Sequence, residues 1–496
     1  MRQTLAWCVC VGGWLKARRP RPRKERMRGT VFLLVVTVVF SCLCLEAAEP
    51  ASLHIEGYAA RRSVAQGEEV ALHVSTTAAK YDIEVARLGA ERVVVWKKAG
   101  VPGQSHPVPE DAAAMGCRWP ESIRVPVGAE WKSGYYEVAL RVADNGGKWT
   151  QRGRRTAEGT AWFIVRQAKP GSTTKMLLQL CTNTYNAYNN WGGFSVYAYN
   201  SLSNNAGHRV SFERPCPAQF GRWELPFVAW AEKNGYALEF AANEDLEFRP
   251  ELLNAYKLVL SVGHDEYWST PMRDNLEAWI GKGGNVAFFS GNTCCWQVRT
   301  EEGGRAFTCW KQNYHLDPVF ATRDFKTLTT LWSHHLLQRP ENSLTGVGFL
   351  WGGYRKSHGQ FMTEPAEYEA HRPEHWVFKD TGLKRGEKFG GKDTIVGYEC
   401  DGCELVWRDG LPFPTAKDGT PGNFEVLATC PVRWHPDDAE WYEKWEIGRT
   451  GAACVGIYTR GGTVFTSGTT DWAHGLQGGD KVVEQMTRNL LERLGR

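Results

Sequence analysis

The sequence predicts a multidomain chain in which an all-β sandwich precedes a doubly wound α/β domain that carries a β-rich insertion. Three observations predict it. Short alternating apolar runs recur between residues 50 and 168; strand, polar turn, helix and strand follow one another from Tyr256 to Thr293; and the chain closes on a strand followed by an amphipathic helix.

The first 48 residues read as a leader outside the fold. A basic run, Lys16 to Arg28, precedes the apolar stretch Val31 to Leu45 and the small residues Ala47 and Ala48, the pattern of a secretory signal. The apolar stretch is short for a membrane span, and the Cys42 surroundings make a poor lipoprotein-type cleavage site. A secreted or periplasmic protein with no stable membrane span is expected. The leader holds nine Lys and Arg against two Asp and Glu, so the formal +4 of the whole chain leaves about −3 for the remainder. The basic character belongs to the leader, and nucleic-acid binding is not expected.

In residues 50–168 the strand-like runs are Val70–Ser75, Ile83–Arg87, Val93–Trp96, Ile123–Val127, Tyr136–Val142 and Ala161–Val165, separated by glycine-containing turns. This reads as a β-sandwich of immunoglobulin-like type. Gln167 to Thr173 is a hinge-like linker.

The α/β domain is expected over residues 174–496. Met176–Leu180 is a buried strand, Leu225–Asn234 a helix, Leu238–Ala241 a strand, and Leu258–Val262 a continuous apolar run that suits a parallel strand. Ser269 is placed to cap the next helix, with Pro271 just inside it and Met272, Leu276, Trp279 and Ile280 at helical spacing. Val286–Phe289 is the following strand. Residues from about 305 to 460 read as strands and long loops inserted before the strand Val464–Thr466 and the helix Gly479–Arg493.

Ligands of open α/β sheets sit beyond the carboxyl ends of the strands. Here those ends deliver His264, Asp265, Glu266 and Asn292. Several nucleophile schemes fail. A doubly wound domain of the class I glutamine-amidotransferase-like kind would place Cys in the turn Gly263–Glu266, and none is there; GxSxG and HExxH are absent. Ten cysteines lie beyond the leader; Cys400 and Cys403 have CxxC spacing without a second pair, which reads as a structural disulfide or plain thiols. Tyr, Glu, His and Asn do cluster at strand ends, a set of hard oxygen donors with a possible base that suits a highly charged ion such as iron(III).

The motifs TNTYNAYNNWGG, SVGHDEYWS, FFSGNT, HWVFKDTGLKRGEKFG with VGYECDG, and VFTSGTTDWAHGL resemble the C-terminal region of the N,N-dimethylformamidase large (beta) subunit-like family, in the same order and from about Tyr81 onward. The resemblance implies an iron-dependent amide hydrolase acting on a small amide, with one mononuclear Fe(III) held by two tyrosines and a glutamate. Carried over by motif, these are Tyr136, Tyr185 and Glu266, while His264, Asn292, Lys311 and Glu399 match catalytic or supporting positions. Tyr136 also shares the apolar face of its strand with Val138, Leu140 and Val142, so a core tyrosine and a ligand are both open readings. Family enzymes pair with a small subunit, which makes such a partner, or a homo-oligomer, an expectation. The alternative function is a non-catalytic, carbohydrate- or surface-binding protein that keeps the fold.

Overall fold

A computed structural model describes residues 53–144, 155–202, 204–355, 366–434 and 450–496; the leader expected over residues 1–48 lies outside them. No helix among the described residues is long and apolar enough to cross a membrane.

Two sheets form the N-terminal layer. Ile55–Ala59, Glu69–Thr76 and Ile123–Pro126 make an antiparallel three-stranded sheet. Ser63–Ala65, Arg155–Arg166, Gly134–Asp144, Lys80–Leu88 and Arg92–Pro102 make a five-stranded one, in that spatial order. Alternation sends Val70, Leu72 and Val74 from one sheet and Ile83, Val85, Val138 and Leu140 from the other into a shared core.

The main sheet has nine strands. Glu239–Ala242, Met176–Leu180, Leu258–His264, Asn285–Gly291 and Gly462–Thr466 run parallel in that order. Thr450–Arg460, Glu425–Arg433, Tyr368–Ala370 and Lys388–Phe389 extend it in antiparallel fashion. The β-rich region thus adds strands to the sheet it interrupts. Helices cover both faces. Leu258, Leu260, Val262, Ala287 and Phe289 point toward the helices Glu224–Lys233 and Lys481–Leu494. Val259, Val286 and Phe288 point toward Thr270–Gly281. That continuous apolar burial on two faces is why these strands read as unbroken Val/Leu/Phe runs. Ser269 caps the helix as its position suggests, accepting from the Met272 amide at 3.3 Å.

The two layers share a core along one face of the five-stranded sheet. Tyr135, Trp162 and Ile164 belong to the apolar cluster of the main sheet, and Tyr135 stacks on Phe220 with centroids 4.1 Å apart. The Ser133 hydroxyl accepts from the Phe240 amide at 2.9 Å, and Arg87 pairs with Glu232 at 2.5 Å. The hinge-like linker is tied down. The Glu239 carboxylate accepts from the amides of Gly171 and Thr173, each at 2.8 Å, and from the Thr173 hydroxyl at 2.6 Å.

Candidate active site

The site lies where the strands Leu258–His264 and Asn285–Gly291 end together, with His264 opposite Gly291 in register. Gly263 makes the exit possible. Its φ is +86°, and a Cβ there would lie 2.4 Å from Cβ of Trp223, so any side chain would displace the ring that flanks His264. Beyond it, Tyr267–Ser269 pairs in parallel with Trp296–Val298, which fixes the backbone on both sides of Glu266.

Glu266 is the hub. It is 2% exposed, and its carboxylate accepts from Tyr197 Oη at 2.9 and 3.1 Å, Tyr188 Oη at 3.1 Å and Trp296 Nε1 at 2.9 Å. Tyr197 Oη also lies 2.8 Å from Tyr188 Oη and accepts from Tyr267 at 2.5 Å. His264 Nε2 lies 2.7 Å from Glu399 Oε2 and 3.1 Å from Glu266 Oε2. Neither contact follows the ring N–H direction, so both act as ion pairs rather than hydrogen bonds. Burial disfavours the imidazolium, but Glu399 and Glu266 outweigh it and hold His264 up at about 10. Burial likewise acts to raise Glu266, while His264 and Lys311 hold it below the usual carboxylate range.

Asn292 sits at φ +49°, a left-handed position that Asn tolerates. Its amide and that of Thr293 donate to Asp401 at 2.9 and 3.1 Å, and its Nδ2 donates to Glu399 at 3.2 Å. Asn292 Oδ1 is buried without a hydrogen-bond partner among the described residues. Lys311 Nζ lies 3.2 Å from the centre of the Tyr197 ring and 4.7 Å from that of Trp296. Burial pushes Lys311 down to about 8 against the pull of Glu266.

The structure therefore brings Glu266, His264, Asn292, Lys311 and Glu399 together, and it does not bring Tyr136 or Tyr185 to them. The Tyr136 hydroxyl donates to the Lys132 carbonyl at 2.6 Å, and its ring stacks between Trp131 and Phe163 in the core of the two-sheet layer. The Tyr185 hydroxyl donates to Glu224, a carboxyl that burial pushes up to about 7. The tyrosines at Glu266 are Tyr188, Tyr197 and Tyr267. Tyr188 ends the short helix Thr182–Ala187, three residues past Tyr185 in the same motif. Tyr197 carried no sequence signal of its own.

Arg214 holds the segment that bears Tyr188 and Tyr197. It is fully buried, and its guanidinium donates to the carbonyls of Trp191, Phe194, Asn189 and Ser211 and to Asn186 Oδ1. All of these acceptors are neutral oxygens, and burial pushes Arg214 down to about 10.

The family pattern described as N,N-dimethylformamidase beta subunit-like, C-terminal, matches residues 82–487. The chain belongs to that family. Two similar proteins are N,N-dimethylformamidase beta subunits. The one from Paracoccus aminophilus is 24% identical over 446 residues, and the one from Alcaligenes sp is 26% identical over 450. Each alignment takes in 76% of this chain and 54% of the relative, so the chain spans about half the length of the curated relatives it matches.

Tyr188, Tyr197 and Glu266 are hard oxygen donors of the kind a highly charged ion takes. No group of three or more His, Cys, Asp or Glu among the described residues is arranged around a metal position. Tyr188, Tyr197 and Glu266 nevertheless converge through oxygens 2.8–3.1 Å apart. On losing their protons, the two tyrosines and the carboxylate would offer three negative oxygen donors to a hard ion. Cys400 and Cys403 are buried free thiols and take no part.

Proposed function

We propose that this protein hydrolyses the C–N bond of a small amide, using a mononuclear Fe(III). The observation that carries this reading is the convergence of Glu399, His264, Asn292 and Lys311 on the Tyr188–Tyr197–Glu266 oxygens in one buried cluster. Tyr188, Tyr197 and Glu266 would hold the iron, which when bound supplies a Lewis acid for the amide carbonyl.

The chain's own residues supply the rest. Glu399 accepts the proton of the attacking water, and the Asn292 Nδ2 hydrogen bond keeps its Oε2 aimed into the site. His264, cationic between two carboxylates, pairs with Glu399 and Glu266 and holds Glu399 in place beside the water. Lys311 donates to the developing oxyanion, where a buried cation acts at low dielectric. Trp223, Tyr398 and Tyr188 ring His264 with centroids 5.5–5.9 Å away and exclude bulk water. In this reading the two-sheet layer is the immunoglobulin-like sandwich, the main sheet is a glutamine-amidotransferase-like frame without its nucleophile, the leader directs export, and a small partner subunit completes the assembly.

Small neutral amides, dimethylformamide among them, are the substrates to assay. E399Q should lower kcat by about 10²-fold or more while leaving the far-ultraviolet dichroism unchanged. A fully active E399Q enzyme would remove Glu399 from the chemistry, and an iron-loaded wild-type protein that turns over no amide would remove the reaction.

A further inference from the structure

Arg222 is exposed, and its guanidinium carbon lies 4.3 Å from the centre of the Trp223 ring and 5.3 Å from that of Tyr398. These are two of the rings that flank His264, at 5.5 and 5.9 Å. The guanidinium is thus within two ring widths of the imidazole. It makes no ion pair and no side-chain hydrogen bond among the described residues. The nearby carboxylate of Asp471 is engaged elsewhere: it accepts from Trp223 Nε1 at 2.9 Å and from the Tyr398 amide at 3.4 Å. The backbone is fixed, with His474 Nε2 lying 3.0 Å from the Arg222 carbonyl.

We infer that the amide taken by this site carries a carboxylate at its other end, and that Arg222 binds it. The inference rests on the amide-hydrolase reading for the chemistry of the inner end only. A guanidinium laid over aromatic rings keeps its N–H edge free, and that planar fork matches a carboxylate in a way that an ammonium does not. It is also less strongly hydrated than an ammonium, so desolvation on binding costs less. The orientation follows from position. Arg222 is exposed, and His264 is buried behind the two rings on which the guanidinium lies, so the carboxylate stays at the rim and the neutral amide points inward.

The test compares succinamate, glutaramate and adipamate with butyramide, valeramide and hexanamide, on the wild-type protein and on R222Q and R222K. Binding is followed by calorimetry and turnover by ammonia release. At least one anionic amide should bind about tenfold more tightly than its neutral counterpart. That ratio should fall to near unity in R222Q and to an intermediate value in R222K. No detectable binding of any anionic amide, an absent preference, or a preference that survives in R222Q overturns the inference. The two readings fail separately. Neutral amides hydrolysed without an anionic preference keep the activity and remove this site. An Arg222-dependent binding preference with no amide turned over keeps this site and removes the activity.

Discussion

Glu341 shows what one buried carboxyl does to the pH response of this protein. It is 1% exposed, and burial, with Asp401 and Asp418 nearby, pushes it from the ordinary 4.5 up to about 8. Folded, it keeps its proton through neutrality; unfolded, it loses it near 4.5. Between those values the folded state binds more protons, so rising pH costs stability, and the cost levels off above about 8. Gln keeps the shape and cannot ionise. E341Q should therefore lose less stability than wild type between pH 5 and 8, by a few degrees in Tm on the order expected from such a shift. Identical pH slopes for both proteins in scanning calorimetry would contradict this assignment. At the same scale, the sequence made part of the site legible. His264, Glu266 and Asn292 were visible because strand ends in a parallel sheet are functional positions whatever the loops do, whereas Glu399 came only from the family motif. Which tyrosines lie at Glu266 was not visible, because that depends on which way each ring turns out of a short helix or a loop. Tyr185 and Tyr188 are separated by less than one helical turn, and no periodicity decides between a partner in Glu224 and one in Glu266.

In the proposed reading, metal binding rests on the segment from Thr182 to Tyr197. Its helix is only six residues long, too short to be stable alone, so its geometry comes from tertiary contacts: Arg214 on its carbonyls, and Thr184, whose hydroxyl accepts from the Glu266 amide at 3.0 Å. Y188F and Y197F should each lower the iron retained by purified protein severalfold and weaken any phenolate-to-iron absorption in the visible range. Y185F and Y136F should leave both unchanged, because their hydroxyls are committed to Glu224 and the Lys132 carbonyl. Metal analysis showing the reverse order would return the ligand set to Tyr136 and Tyr185. Regular elements were easier to read. The strand Met176–Leu180 and the helix following Ser269 follow from apolar runs and a cap, whereas the extension of the sheet by Tyr368–Ala370 and Glu425–Arg433 depends on pairing between segments far apart in sequence.

Across the whole molecule, Tyr135 and Tyr136 separate two cores. Strand alternation sends Tyr136 into the two-sheet layer and Tyr135 into the core of the main sheet. Sequence reading gave the alternation but not that the Tyr135 face meets the second layer, since that face also carries Glu137 and Arg141 and reads as solvent-facing. A ring shared between layers couples their unfolding. Y135A should lower stability by about 3–5 kcal/mol, as for other large aromatic truncations in cores, and the wild type should unfold in a single calorimetric transition. Two resolved transitions, with Y135A moving only one of them, would show that the layers unfold separately. The connector between the layers bears on the same point. Residues 171–173 have the composition of a leash, yet their amides and a hydroxyl are spent on Glu239, at the edge strand of the parallel sheet. Slack cannot be added there for free: an insertion would have to bulge into solvent or give up the carboxylate, so the spacing between the halves is set by a knot rather than by a length of string.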